Sequence, residues 1–323
     1  MAIELGFLKD RISFSANYFR NRSSDQITSS AVAYQSGYNS YTQNLPAVIQ
    51  NKGLELELNT TNINAGDFSW KTAVNFTFIK NKLVDFPNLD KSFSASSYVI
   101  GEPINLIRLY HYLGVDPSNG TALFEDRDGN GIINTNDRYV ADLGNPFYGG
   151  FNNTFSYKGF DLSVFLNFSV GNDIYNANVL NNSRLDLEFQ NTLAQFANRW
   201  TTINAAGVRV TDPTELTALN QGKINPAYNG NSTGRLHSDI IEDGSFLRIN
   251  NVSLGYTFDK KLLSKLKINR LRVYLTAYNL HTFSKYSGYD PEVSVIRTAL
   301  TPGVDYSAYP RAKSFVAGIN LSL

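Results

Sequence analysis

The 323-residue sequence contains no cysteine, which excludes disulfide bonds, thiolate metal sites and cysteine nucleophiles. Charged residues make up only 18%, and the formal net charge is +1. A nucleic-acid partner is not expected, because such a partner normally requires a strong basic excess. The first residues have neither the basic nor the apolar segment of a signal peptide. No apolar run approaches the ~18 residues of a membrane helix, whereas a β-barrel strand needs apolar residues only at alternate positions.

What the sequence does contain is a repeated stretch of alternating apolar and polar residues. Leu54, Leu56 and Leu58, for example, alternate with Glu55 and Glu57. This period of two is typical of a β-strand with one apolar and one polar face. Clear stretches occur at 11–20, 53–59, 68–79, 160–169 and 315–323, and weaker ones at 2–8, 151–157, 246–258 and 271–280. The pattern predicts about nine strands.

The connections between these strands fall into two length classes. Short ones lie at 9–10, 64–67 and 157–159, with a moderate one at 259–270. Long ones lie at 21–51, 87–146, 171–244 and 284–311. Short turns at one rim and long loops at the other are typical of an antiparallel transmembrane β-barrel. A soluble antiparallel sheet also shows alternation, but a compact soluble domain rarely contains several long structureless loops.

Aromatic residues gather towards the ends of several predicted strands, as at Tyr18 and Phe19, Phe147 and Tyr148, and Tyr256. This placement is typical of the aromatic girdles of a membrane barrel. If the last strand ends at the short-turn side, an odd number of strands means that the first strand enters from the long-loop side. Single-chain bacterial barrels instead have an even number of strands. The sequence therefore predicts further strands before Met1.

Two segments depart from the strand pattern. Residues 185–201 have apolar residues near helical spacing, which predicts a short helix inside the third long loop, although an irregular loop fits the segment too. Residues 260–267 predict a further basic, exposed helical turn.

The sharpest local signal is the twelve-residue stretch at 126–137, inside the long loop 87–146. Its oxygen-bearing residues follow the spacing of an EF-hand calcium loop, with Gly131 at the sharp sixth position. The candidate metal ligands are Asp126, Asp128, Asn130, Ile132 through its carbonyl, Asn134 and Asp137. Calcium takes six to eight oxygen ligands, which explains oxygen donors at alternate positions. We expect a structural Ca²⁺ site, weakened by Asp rather than Glu at position twelve; a polar turn rich in Asn and Gly is the alternative.

No catalytic motif is present. The sequence has no Gly-x-Ser-x-Gly elbow, no His-Glu-x-x-His and no phosphate-binding glycine loop, so it predicts no enzyme. The three histidines, His111, His237 and His281, lie far apart in the sequence and predict hydrogen-bonded surface roles.

Several motifs together resemble the SusC/RagA-type TonB-linked outer-membrane proteins. They are 101–104 (GEPI), 112–116 (YLGVD), 137–138 (DR), 143–146 (LGNP), 149–162 (GGFNNTFSYKGFDL), 198–201 (NRWT), 242–256 (EDGSFLRINNVSLGY), 279–280 (NL) and 286–292 (YSGYDPE). The likeness spans nearly the whole chain.

The resemblance implies a barrel of roughly 22 strands with a plugged lumen, located in the Gram-negative outer membrane and in contact with its lipid. It also implies TonB-energised import of oligosaccharides or peptides, with a SusD-like surface lipoprotein as partner. Residues 1–323 would then be the C-terminal part of the barrel, without the plug domain, the TonB-contacting segment or the signal peptide. A passive porin-like channel and a soluble extracellular glycan-binding β-domain are the alternative functions.

Overall fold

A computed structural model of the chain describes residues 1–92, 94–144, 146–182, 191–227, 236–263, 268–292, 294–295 and 303–322. The strands are, in chain order, β1 Ala2–Phe7, β2 Ile12–Ser23, β3 Gln26–Ala31, β4 Ser40–Leu45, β5 Val48–Ala65, β6 Phe68–Asp85, β7 Leu106–Leu109, β8 Tyr112–Val115, β9 Ala122–Phe124, β10 Tyr139–Asp142, β11 Phe147–Tyr157, β12 Phe160–Val170, β13 Asp173–Asn176, β14 Ile241–Asp243, β15 Phe246–Thr257, β16 Arg270–Ser284, β17 Val304–Asp305 and β18 Ser314–Ser322.

In the described parts of the chain, helices are few and short. The α-helices are α1 Ala177–Asn182, α2 Pro213–Leu219 and α3 Lys260–Leu263. Single 3-10 turns occur at Tyr34–Ser36, Leu89–Lys91, Thr135–Asp137, Ala194–Ala197 and Ser238–Ile240. Among the described residues, no helix has both the length and the apolar character needed to span a membrane.

One nine-stranded sheet dominates the molecule, in the order β1-β2-β5-β6-β11-β12-β15-β16-β18. Every neighbouring pair in this sheet, which we call the wall, is antiparallel. The wall strands coincide with the nine alternating stretches of the sequence, so the predicted all-β antiparallel fold is confirmed. Consecutive wall strands are neighbours because short turns and long loops both return the chain to the adjacent position.

The turns at the short-connection rim are built from residues with left-handed backbone conformations. Lys158 and Gly159 join β11 to β12 with φ values of 45° and 88°. Positive φ at both central residues matches the twist of a two-residue hairpin. At Gly159 a Cβ would lie 2.6 Å from the carbonyl oxygen of Thr257, so this position requires glycine.

Strands β5 and β6 are longer than the sequence predicts. Each has 18 residues, whereas crossing a membrane takes only about 9–11. Their additional residues continue the ladder past the membrane-crossing part, where Ala47, Ile49, Leu83 and Phe86 form a small buried core. The predicted boundaries were wrong here because polar pairs such as Lys52 with Lys80 carry no alternation signal, although their backbone hydrogen bonds continue.

The long loops are not structureless. Their described residues form four small sheets, which pair β3 with β4, β7 with β10, β8 with β9, and β13 with both β14 and β17. Leu109, Ala141, Val179, Phe196 and Ile240 form a buried cluster that joins the second and third long loops. The described hydrophobic clusters therefore lie at the long-loop end.

The predicted helix at 185–201 is only partly open to comparison, because residues 183–190 lie outside the described residues. In the described remainder the chain forms a single 3-10 turn at Ala194–Ala197, with Phe196 buried, rather than an α-helix. The predicted turn at 260–267 agrees with α3 as far as Leu263, and residues 264–267 lie outside the described part.

Candidate functional site

One face of the wall is apolar from the first strand to the last. Cross-strand pairing aligns Leu58 with Val74, Val74 with Phe151, and Phe151 with Leu166. The apolar face continues across β15 and β16 to β18, where Val252 pairs with Ala277 and Ala277 pairs with Phe315. In this last strand Phe315 and Ile319 are 67% and 69% exposed. No second sheet covers the row within the described residues, so this face requires an apolar solvent such as the hydrocarbon of a membrane.

Aromatic side chains border this apolar face on both sides. Near the short turns, Trp70 stacks on Phe155 with ring centroids 5.6 Å apart. Towards the loops, Phe78 stacks on Phe147 at 4.5 Å. In β6 the outermost aromatics, Phe68 and Phe78, are ten residues apart, which corresponds to about 33 Å of strand and about 25 Å along the normal for a strand tilted ~40°. This height matches the apolar band of an outer-membrane barrel.

The opposite face of the wall is polar. Glu55, Glu57 and Asn59 on β5 project from it and are exposed. Asn17 on the neighbouring strand donates a hydrogen bond of 3.0 Å to Glu55, and Asn59 donates one of 2.8 Å to Glu57. These exposed groups lie on the polar, solvated face that the alternation of the sequence predicts.

The loop at 126–137 brings three of its predicted metal ligands together. One carboxylate oxygen from each of Asp126, Asp128 and Asp137 lies within 4.8 Å of the others. In the described part of the chain no ion pair compensates these three charges. Converging hard oxygen ligands that form no ion pair among the described residues are a donor set that fits Ca²⁺.

The backbone of the same loop holds the carboxylates in position. The Gly131 N–H donates to Asp126 at 2.7 Å, and Gly131 itself has φ 79°. Asp137 has no solvent-exposed surface. Hydrogen bonds from the backbone N–H groups of Asn134, Arg127 and Asp128 lower the pKa of Asp137, so it is ionised at neutral pH.

The other predicted ligands, Asn130, Ile132 and Asn134, already take part in local hydrogen bonds. Asn130 donates to Asp128 at 2.8 Å, and its own oxygen accepts from the Ile132 N–H. Asn134 caps the turn at Thr135–Asp137, and its amide donates to the Ile132 carbonyl at 3.0 Å. These two asparagines and the Ile132 carbonyl would have to exchange local hydrogen bonds for metal coordination.

A buried ionic cluster lies on the lumenal face of β15. Arg248 is buried and contacts the carboxylates of Asp290 and Glu292, which belong to the last long loop. The Arg248 Nε to Glu292 Oε2 separation of 2.8 Å is an ion pair, although its angle is too bent for a hydrogen bond. Arg311 adds a contact of 3.4 Å to Glu292. Burial alone would raise the pKa of Asp290, but hydrogen bonds from Arg248 and from the Glu292 and Arg311 N–H groups outweigh it and lower that pKa.

Comparison with known proteins relates the whole chain to one group of receptors. TonB-dependent receptor P3 of Formosa agariphila is 31% identical over 99% of this chain and 33% of its own length. TonB-dependent receptor SusC of Bacteroides thetaiotaomicron is 28% identical over 99% of this chain and 31% of its own length. No protein-family model matches the sequence. The chain spans about a third of the length of these curated relatives.

Solved structures agree on the fold. A structure of the RagAB peptide transporter superposes on 99% of this chain and 34% of its own with a TM-score of 0.78 at 24% identity. The RagAB peptide importer in its closed-closed state gives a TM-score of 0.79 at 23% identity. Along its whole length the chain is similar to SusC/RagA-type TonB-dependent receptors, of which it covers about a third. Its nine wall strands are strands of an outer-membrane β-barrel.

Two motifs that resemble SusC/RagA sequences meet in space. Glu242 begins the 242–256 motif, and its carboxylate accepts hydrogen bonds of 2.8 Å from both the N–H and the hydroxyl of Ser287 in the 286–292 motif. Arg248 of the first motif pairs with Asp290 and Glu292 of the second. The sequence analysis did not link these motifs, because the only available signal was opposite charge in segments about 40 residues apart.

Two of the three histidines, His111 and His281, are exposed as predicted, and His237 is the exception. His111 is exposed, with its Nδ1 3.2 Å from Glu125. The His237 Nδ1 is buried without a hydrogen-bond partner, and its ring lies 5.2 Å from that of Tyr112. Burial lowers the pKa of His237, although the nearby Asp239 carboxylate acts in the opposite direction. The surface prediction was wrong for His237 because the aromatic neighbours come from a distant segment.

Proposed function

We propose that this chain supplies wall strands and surface loops to an importer that moves oligomeric nutrients, glycans or peptides, inward across the outer membrane with energy from TonB. The observation that carries the proposal is the single apolar face of the wall, in a chain that aligns along its whole length with about a third of the length of known TonB-dependent receptors. The exposed apolar row argues against a soluble glycan-binding domain, since such a domain would bury it.

A SusD-like surface lipoprotein is the proposed partner. Its support is the 28% identity to the SusC receptor and the fold shared with the RagAB transporter. The structured long loops, with their own small sheets and buried clusters, offer this partner a preformed surface at one rim. Co-purification from outer membranes, with and without the loop segment 87–144, tests the assignment; recovery of the same complex without the loop contradicts a role for this segment.

Active transport has a direct test. Removing the TonB-contacting segment of the receptor that contains this chain is expected to abolish uptake of its nutrient while leaving the barrel in the outer membrane. A passive channel would continue to conduct, so unchanged uptake after the deletion refutes TonB-driven import.

We further propose that the loop at 126–137 binds a structural Ca²⁺ ion. Three converging aspartates, the glycine turn at Gly131 and the buried Asp137 support this assignment. The ion would neutralise the clustered charge and hold the second long loop in place; it has no catalytic part in the proposal.

Calorimetry tests the Ca²⁺ proposal. The double variant Asp126→Ala with Asp128→Ala is expected to lose Ca²⁺ binding, because it removes two of the three clustered carboxylates. Asp212→Ala is the matched control, since Asp212 caps α2 in a different loop. Equal Ca²⁺ binding by the parent and the double variant would reject the site.

A further inference from the structure

A second candidate site, a concave one, lies at the long-loop end, separate from the loop at 126–137. It has a volume of about 680 Å³, within the usual range for small-molecule sites. Three segments distant in sequence form most of it: 176–179 after β13, 287–289 after β16, and 307–310 after β17; Leu193 completes the lining. The site is therefore a product of the tertiary structure of the loops, and we call it the tyrosine pocket.

Two tyrosines of the tyrosine pocket are almost fully exposed. Tyr289 is 85% exposed and Tyr309 is 89% exposed. No hydrogen bond of either phenol occurs among the described residues. A tyrosine ring presents a large rigid face with a polar tip, and leaving two such faces in water beside a cavity is typical of a binding surface.

The floor of the tyrosine pocket is preorganised by hydrogen bonds between the segments. Asn176 is buried and donates to Glu242 at 2.7 Å, and the same carboxylate accepts from Ser287. Asn178 accepts from the Ser307 N–H at 2.7 Å, which joins the first segment to the third. Walls fixed in this way lose little conformational entropy when a ligand binds.

The chemistry of the lining selects the ligand. Among the described residues the lining contains asparagines, serines, apolar residues and the two tyrosines, with no charged side chain. A ligand that fits has flat apolar faces for stacking on tyrosine and neutral hydroxyls for amides and hydroxyls. Uncharged pyranose rings have both features. A short free peptide carries charged termini and an anionic polymer carries charged rings, so either ligand would place charge in a lining that has none to compensate it.

We propose that the tyrosine pocket binds a neutral sugar unit of an oligosaccharide, with Tyr289 and Tyr309 stacking on ring faces and Asn178 and Ser307 facing hydroxyl groups. The proposal rests on the proposed import function and specifies its substrate class as a neutral glycan. It places one substrate subsite on the last and third long loops, at the rim rather than in the barrel interior.

The test is calorimetric titration of the whole detergent-solubilised receptor that contains this chain. The probes are neutral oligosaccharide pools from laminarin, mannan and dextran, together with alginate oligosaccharides and a casein digest. At least one neutral pool is expected to bind, and the charged pools and the peptides are not. Tyr289→Ala and Tyr309→Ala should each weaken binding about tenfold, as expected for a lost stacking contact of roughly 1.4 kcal/mol.

Two variants make the result specific. Tyr306→Ala is the matched control, because Tyr306 is 52% exposed in the same segment but does not line the pocket, and binding should be unchanged. Tyr289→Phe should retain most of the affinity, since stacking needs the ring rather than the hydroxyl group.

Three results would overturn the proposal: no neutral pool binds, a neutral pool binds with equal affinity to the tyrosine variants, or only charged glycans or peptides bind. If the Tyr289→Ala and Tyr309→Ala variants bind glycan as the parent does but recover less of a lipoprotein partner, the proposal is likewise overturned. The two tyrosines would then belong to a protein interface. Binding in detergent needs no TonB. Failure of this assay is therefore distinguishable from failure of the import function, which is measured as uptake in cells.

Discussion

A charge placed on the apolar face of the wall should destabilise the barrel by an amount set by its depth. Val74 on β6 lies on this face, four residues from Phe78 and six from Phe68. With a rise of about 3.3 Å per residue and a tilt of about 40°, these steps are about 10 and 15 Å along the membrane normal. Val74 therefore lies within a few ångström of the middle of the ~25 Å apolar band.

Val74→Arg should cost roughly 2–4 kcal/mol of folding free energy, the range for arginine at the bilayer midplane. This corresponds to a fall of about 30- to 900-fold in the ratio of folded to unfolded protein. The control is Asn59→Arg, because Asn59 pairs with Ala73 at nearly the same depth but projects into the polar lumen. Denaturant titration of the receptor folded into lipid vesicles measures both variants. Equal destabilisation by the two arginines would refute the assignment of the lipid face.

Three further predictions concern the loops and turns. Arg248→Ala should release the last long loop at a cost of about 3–5 kcal/mol of stability, because it leaves the buried Asp290 without its ion-pair partner. Arg311→Ala is the control: it removes an exposed contact and should cost less than about 1 kcal/mol. Hydrogen exchange of residues 285–292 distinguishes the two variants. Gly159→Ala should destabilise the β11–β12 turn by more than about 1 kcal/mol in the same denaturant titration, and a neutral result would contradict the positive-φ argument. Burial lowers the pKa of His237, so below about pH 6.5 the unfolded loop binds more protons than the folded loop, and loop stability should fall as the pH decreases. His237→Phe should abolish this pH dependence in hydrogen exchange. An unchanged pH profile in the variant would reject the role of His237.

Local sequence was sufficient for the wall. Alternation at Leu54, Leu56 and Leu58 identifies a strand with one apolar face, and short turns identify which strands are neighbours. These features depend on a period of two residues and on turn chemistry, which are local properties. The same locality explains the prediction of the loop at 126–137, since twelve consecutive residues carry its whole pattern.

Contacts between distant segments were decided only by the tertiary structure. The pairing of Arg248 with Asp290, the burial of His237 beside Tyr112, and the tyrosine pocket each join segments separated by tens of residues or more. No periodicity encodes such contacts, because each depends on where long loops fold above the wall. The sequence by itself therefore determined the antiparallel wall and its two faces, and the packing of the loops determined which side chains meet at the rim.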